Sequence, residues 1–479
     1  MVDHEEVHML RVPVLVILGS TGCGKSRLGI ELARRFTGEI ISADSMQVYK
    51  NLDIITAKVS KEEREMAPHH MLDIVDPLTE FTVIDFRDMT LPIIDDLLAR
   101  KKLPIIVGGT NYYIESLLWK ILIANPENVE TSTNEESNIV SQIEREKFNS
   151  SSVESNDRIE EEKDEVSCTK KSKIESRPDI EESNEELHRR LSEVDPEMAD
   201  RLHPNNRRKI IRSLEVFSQF GKTHSELLKA QREAGACGLG GPLRHPNSII
   251  LWLRCEEKVL KSRLDSRVDA MVEAGMVQEL LEFHRGYNEQ RIKSNTSPDY
   301  SKGIFQSIGF KEFHAYLVLP EEERRSEKGQ ALLVEGINNL KLVTKRYAKR
   351  QERWINNRLV RRNDRQVPPM YTLDCTDLEK WGSQVFDKSV AIISAILEGR
   401  EPEQRPYNES ITNKKISDSS NERSFYCEIC ERLFIGDHQW NEHINGAKHM
   451  KVIKKKKKLE EKREKEKQME VQEIAISTT

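Results

Sequence analysis

A chain of 479 residues is too long for one core of ordinary domain size, so two or more folded units plus linker are expected. Charged residues at 33% against hydrophobic ones at 37% mean that some charged segments bury no core, and the net charge of -6 sums acidic and basic patches without selecting a partner. Seven cysteines with one close pair, Cys427 and Cys430, argue against a disulfide framework and for a reducing compartment.

The first eight residues are acidic and lack the Arg/Ser-rich pattern of a transit peptide, and the apolar run 12–18 is too short to span a membrane, so a soluble protein is expected. A second start at Met9 would remove the acidic prefix and leave room for an organellar form. Residues 12–18, a glycine-rich turn and residues 25–36 read as strand, loop and helix, because a β-branched and Leu run precedes apolar spacing of helical period. Further apolar runs at 39–42, 104–108 and 248–253 fit parallel strands buried on both faces. Between 126 and 186 that periodicity disappears, Phe148 is the only aromatic, and a disordered insertion is expected. Helical patterning resumes at Leu187, with Asp195-Pro196 opening one helix and 207–217 forming a basic amphipathic one, before the loop 235–242 returns the chain to the sheet. Long helices are expected over 258–283 and from about 330 to 361, the second carrying Lys341, Lys345, Arg346, Lys349, Arg350 and Arg353. A helix this basic suits a polyanion, although charge runs are often only solvated faces.

Gly19-Ser-Thr-Gly-Cys-Gly-Lys25-Ser26 has phosphate-loop spacing and lies between a predicted strand and a predicted helix. Gly19, Thr21, Gly22, Cys23 and Gly24 turn backbone N–H groups toward phosphate oxygens, Lys25 adds a point charge, and Ser26 offers a hydroxyl to magnesium. The loop specifies a polyphosphate and not which one: ATP in a nucleotide or polynucleotide kinase, or a diphosphate ester. Asp44 follows the second strand and Thr110 sits in a Gly-Gly-Thr turn after another, so both belong at the carboxyl edge where open α/β sheets bind ligands. Each has a bland reading, Asp44 as the cap of a helix near Ser45 and Gly-Gly-Thr as an ordinary turn.

Near the C-terminus, Cys427-x2-Cys430-x12-His443-x5-His449 has the spacing of a tetrahedral zinc site, with Phe425, Phe434 and Trp440 to pack beneath the metal. Lysines follow it at 454–458, suited to a phosphate backbone or to nuclear import.

Ordered segments along the chain resemble the tRNA dimethylallyltransferases, also called tRNA isopentenyltransferases, in their eukaryotic form with a C-terminal C2H2 zinc finger. They are the phosphate loop, Ser42-Ala-Asp44-Ser45-Met46-Gln47-Val-Tyr49, Thr56-Ala-Lys58, His69-His70-Met-Leu-Asp73, Gly108-Gly109-Thr110-Asn111-Tyr112, the run 203–216 with Arg207, Arg208, Lys209 and Arg212, Arg267-Val-Asp269, Gln306-Ser-Ile-Gly309 and Thr344-Lys345-Arg346-Tyr347-Ala-Lys-Arg350-Gln351. The resemblance implies transfer of a dimethylallyl group from dimethylallyl diphosphate, with Mg2+, to N6 of adenosine 37 in the anticodon loop of tRNA. It gives Asp44 the proton of the attacking amine and Thr110 the leaving-group oxygen. Asp44, Ser45, Met46 and Gln47 become readers of an extruded adenine, and Arg208, Lys209, Arg212, Lys345, Arg346 and Arg350 become tRNA contacts. One departure is Ile54-Ile55 before Thr56, where the family usually has Gly next to the Thr, which puts the local turn in question.

The expected fold is therefore α/β: a P-loop parallel sheet with a helical insertion domain, a helical C-terminal region and a small ββα zinc finger. Its parts are a catalytic core at 11–120 and 246–400, an acidic insertion at 121–186, a helical insertion at 187–245, a linker at 401–422, the finger at 423–451 and a Lys-rich tail at 452–479. The chain is expected to be a cytoplasmic monomer, with nuclear and mitochondrial pools, that uses zinc in the finger and does not enter membranes.

Overall fold

The computed structural model describes residues 12–120, 182–233, 242–294, 303–361, 366–407, 424–430, 432–435 and 437–457. Most of the expected acidic insertion, the returning loop, most of the linker and the tail beyond 457 lie outside the described residues. The chain forms two units, residues 1–122 with 229–418, and residues 123–228 with 419–479.

In the first unit six strands, β1 (Val14–Gly19), β2 (Glu39–Ser42), β3 (His69–His70), β4 (Pro104–Val107), β5 (Ser248–Arg254) and β6 (Met370–Asp374), form one parallel sheet in the order β3-β2-β4-β1-β5-β6. Side chains alternate across a strand, so Leu15 and Ile17 enter one core while Val14, Val16 and Leu18 enter the other. With helices on both faces every residue of β1 is buried, which is why it reads as an unbroken apolar run. Two strands escape that signal: β3 is two histidines, and β6 follows Pro368-Pro369. Lys120 N donates to Pro242 O at 2.9 Å and Trp119 bridges Leu243, so the segments before 121 and after 241 are held together.

Two expected helices change shape. The span 258–283 is two helices, Glu257–Glu273 and Met276–Ser294, separated at Gly275, whose φ of +95° is left-handed. The long basic helix runs Glu327–Ile355, earlier than expected because Ser326 caps it by accepting from Gly329 N, and it ends in a wider π turn at Asn356–Val360. Among the described residues no helix is long and apolar enough to cross a membrane.

In the second unit the helices Asn184–Val194, Pro196–Arg201 and Arg207–Phe220 gather around Leu187, Leu191, Met198 and Ile210. Asp195, 2% exposed, caps the Pro196 helix through Met198 N at 3.0 Å and also accepts from Ser225 N at 2.8 Å and Ser225 Oγ at 2.6 Å. Losing it strands buried donors, so Asp195→Ala is expected to destabilise this helical segment by about 3 kcal/mol. Chemical denaturation followed by a probe in the segment checks this, and an unchanged midpoint would contradict it.

Candidate active site

Because β4 lies between β1 and β2, the loops after these three strands open side by side at the carboxyl edge. The first is the phosphate loop. Gly24 holds φ at +85°, and a Cβ there would sit 2.7 Å from the Trp381 ring, so only glycine closes this turn. Lys25 opens the helix Lys25–Phe36 and donates to Ser20 O at 2.9 Å.

The second loop carries Asp44. No helix follows it: residues 45–48 form a turn, and Asp44 Oδ1 accepts from Met46 N at 3.0 Å, so the helix-cap reading fails. Both ends of the Gln47 amide are engaged, its Oε1 accepting one bond from Ser42 Oγ at 3.0 Å and its Nε2 donating to Thr56 O and Ala57 O at 3.2 Å each. The third loop is Gly108-Gly109-Thr110. Thr110 Oγ1 accepts from Ser45 N at 2.9 Å and donates to Ser45 Oγ at 3.1 Å, and Thr110 N donates to Ala43 O at 3.1 Å, so the second and third loops are tied together.

These loops and the long helix enclose a cavity of about 450 Å³. Four cations reach its wall, Lys25, Arg27, Arg267 and Arg350, with Asp44 the sole carboxylate among the lining residues. Loss of solvation pushes the Asp44 carboxyl above its ordinary value, opposed by the Met46 N–H and by the charges of Lys25 and Arg267. The same loss of solvation pulls Lys25 and Arg267 down, and Asp44 partly restores each. Such a wall is arranged to hold an anion and to take up one proton.

The structure places Thr21, Gly22, Gly24, Lys25, Ser26, Asp44, Ser45, Met46, Gln47 and Arg350 on this wall, and Gly108 and Gly109 with them, while the Thr110 hydroxyl faces Ser45. Cys23 is buried behind the cradle near Cys375 and Cys255, and the Cys375 thiol donates to Arg254 O at 3.2 Å. On the long helix Arg346 is exposed, whereas Lys345 pairs with Asp265 at 2.8 Å and Lys341 with Asp269 at 2.5 Å, so part of the basic face is neutralised by the helix Glu257–Glu273. In the second unit Arg208 and Lys209 are exposed, and Arg212 lies 3.4 Å from Glu215. Arg267, Tyr347 and Gln351 line the cavity without having been singled out for a role in the sequence, although each lies inside a segment that carried the resemblance.

The finger is a hairpin, β7 (Ser424–Cys427) and β8 (Arg432–Ile435), followed by the helix Asp437–Ile444. Sulfur and nitrogen atoms of Cys427, Cys430, His443 and His449 all lie within 4.8 Å of one another, the donor set of a structural zinc site. Phe425 stacks on Trp440 at 5.3 Å and Phe434 on His443 at 3.9 Å, a core too small to hold without the metal. Metal analysis is expected to find about one zinc per chain, and Cys430→Ser to lose nearly all of it with the fold of this segment. Full zinc retention in that variant would contradict the assignment.

The family described as IPP transferase matches residues 47–358, and the one described as zinc-finger double-stranded RNA-binding matches 424–449. The tRNA dimethylallyltransferase of Mus musculus is 45% identical over 452 residues, which covers 94% of this chain and 87% of that protein. That of Saccharomyces cerevisiae is 31% identical over 457 residues, 92% of each chain. A solved eukaryotic dimethylallyltransferase acting on tRNA matches with a TM-score of 0.67 at 28% identity, over 95% of this chain and all of that one. Similarity of this extent, joined to a cation-lined cavity over a phosphate loop and to a C-terminal Cys2His2 cluster, establishes that the chain belongs to the tRNA dimethylallyltransferase family.

Proposed function

We propose that the chain transfers a dimethylallyl group from dimethylallyl diphosphate to N6 of adenosine 37 in the anticodon loop of tRNA, releasing diphosphate. One observation carries this reading: a single carboxylate, Asp44, stands in a cavity whose other charges are four cations. The reaction needs that balance, because its leaving group is a polyanion and its nucleophile sheds one proton.

In the step proposed, the N6 lone pair bonds to the allylic C1 carbon while the C1–O bond breaks and its electron pair leaves with the diphosphate. The N6 proton passes to Asp44, whose desolvated carboxylate is a stronger base than one in water. Lys25, Arg267 and the phosphate-loop N–H groups other than those of Thr21 and Cys23, which donate to Gln351 Oε1 and Ser20 O, hold the diphosphate, and the Thr110 hydroxyl turns from Ser45 to the departing oxygen. Ser26, exposed beside Lys25, is a hard oxygen ligand suited to Mg2+, which when bound would add positive charge against the diphosphate. The adenine must leave its stack to reach Asp44, and Ser45, Met46 and Gln47 meet its edge. Gln47 does so with the remaining lone pair of Oε1, since its amide is held by Ser42, Thr56 and Ala57. Arg208, Lys209, Arg212, Arg346 and Arg350 contact tRNA phosphates, with Lys345 sharing its charge with Asp265.

The working form is a monomer in the cytoplasm. The exposed lysines 454–457 suit nuclear import, and nuclear and mitochondrial pools are proposed beside the cytoplasmic one. Incubating the purified chain with dimethylallyl diphosphate, magnesium and an anticodon stem-loop, without ATP, is expected to convert one adenosine to its N6-dimethylallyl form by nucleoside mass analysis. Phosphate transfer from ATP with no prenylated nucleoside would overturn the reading.

A further inference from the structure

The geometry points to Gln351 as a positioning residue that fixes the phosphate cradle and the Gly-Gly-Thr loop at one separation, so that the leaving group is bound and stabilised in register; this rests on the transfer reaction proposed above. Gln351 is 4% exposed on the long helix, and its side-chain amide bridges the two loops. Its Oε1 accepts from Thr21 N at 2.8 Å and its Nε2 donates to Gly109 O at 3.0 Å. The same carbonyl accepts from Tyr347 OH at 3.1 Å, and Ser20 Oγ donates to Ala348 O at 3.1 Å, so one stretch of helix grips both loops.

The chemistry of the bridge selects the residue. Thr21 offers a donor and Gly109 an acceptor, and a planar primary amide answers both with one group. A glutamate keeps the acceptor for Thr21 but sets an oxygen against Gly109 O. A methionine fills the volume and makes neither bond. The fit is close, since a Cβ on Gly109 would lie 2.6 Å from Gln351 Nε2. Burial on the helix and engagement of both amide ends mean that Gln351 acts through the loops rather than on the reacting atoms. Its loss should appear in the chemical step, because misplacement of about 1 Å costs about 100-fold in rate.

The test uses the full chain, single-turnover kinetics with active-site titration, and four variants: Gln351→Met, Gln351→Glu, Thr110→Ala and the Thr110→Ala/Gln351→Met pair. Gln351→Met is expected to lower kcat by about 30-fold to 100-fold with the KM for dimethylallyl diphosphate within about threefold, and Gln351→Glu to fall at least as far. In the Thr110→Ala background, adding Gln351→Met should cost less than about threefold more, because the two act through one loop. A merely structural role would reduce the titrated fraction of active enzyme and leave the rate per site unchanged. Tyr347→Phe, which removes one hydroxyl, is the milder variant should Gln351→Met fold poorly, and is expected to lose about threefold to tenfold in kcat. Wild-type kcat per site in Gln351→Met, or in Tyr347→Phe where Gln351→Met does not fold, overturns the inference, as does full multiplicativity in the double variant. If the unaltered chain makes no prenylated adenosine, it is the proposed reaction that fails, and this outcome is read in the wild-type arm alone.

Discussion

Asp44→Asn is expected to lower the rate of transfer by about 1,000-fold while leaving the KM for dimethylallyl diphosphate unchanged or lower. Asparagine is isosteric and its side-chain oxygen can still accept from Met46 N, so the turn should persist. What disappears is the group that receives the N6 proton. Removing a negative charge from a wall that also holds Lys25 and Arg267 cannot weaken binding of a diphosphate. The pH dependence carries a second signature. Burial raises the Asp44 pKa, and the base works only when ionised, so kcat should fall on the acid side at a pH above the ordinary carboxylate value of about 4. Arg267 is among the groups that hold the pKa down, so Arg267→Gln should move that limb to higher pH, whereas the residual activity of Asp44→Asn should show no such limb. Normal prenylation by the asparagine variant would remove Asp44 as the base.

How much of this site was legible beforehand depends on the length scale of each signal. The phosphate loop, Asp44 and Gly108 to Thr110 each follow directly on a strand, so reading the strand also placed the residues at the carboxyl edge. The partners that hold the loops were not legible as partners. Gln351 meets Thr21 across 330 residues, and nothing in the pattern of a basic amphipathic helix says which residue turns toward a loop that far away. Arg267 is similar: its helix shows ordinary surface patterning, and its place in the cavity follows from packing beside the long helix.

Charge was the signal most altered by tertiary structure. A helix bearing Lys341, Lys345 and Lys349 reads as strongly cationic when taken alone, but the neighbouring helix brings Asp269, Asp265 and Glu257 to those residues at 2.5, 2.8 and 3.8 Å. Among the described residues Arg346 and Arg350 show no such pairing, so the surface available to a polyanion is narrower than the count suggests. The cysteines show the reverse effect. Cys255 and Cys375 look scattered, but β5 and β6 pair with Arg254 opposite Asp374, which sets the two residues after them side by side behind Cys23. The fold class was readable because buried parallel strands leave continuous apolar runs. Strand β6 was not, because five residues after two prolines carry too little pattern, and the helix break at Gly275 was not, because a glycine within helical spacing is usually tolerated.

Gly108→Ala tests whether the juxtaposition of these loops, rather than their chemical groups alone, produces the activity. A Cβ at Gly108 would lie 2.1 Å from Ala43 O and 2.4 Å from Ala43 C, and both are backbone atoms with no rotamer to yield. The loop that carries Asp44 must therefore move away from the loop that carries Thr110, which also stretches the bond from Thr110 N to Ala43 O. Overpacking of this kind is expected to cost about 1–3 kcal/mol of stability. The displacement of Asp44 is expected to cost at least about 100-fold in kcat/KM, more than the stability change alone would remove from the folded population at a temperature well below melting. Gly286→Ala is the matched control. It lies exposed in the helix Met276–Ser294 with nothing within 4 Å of an added Cβ, and should gain about 0.5–1 kcal/mol with an unaltered rate. Thermal melting and single-turnover kinetics on both variants decide the matter. If Gly108→Ala melted and turned over like the wild type, the two loops would have slack, and a base fixed beside N6 could no longer be derived from the contact between them.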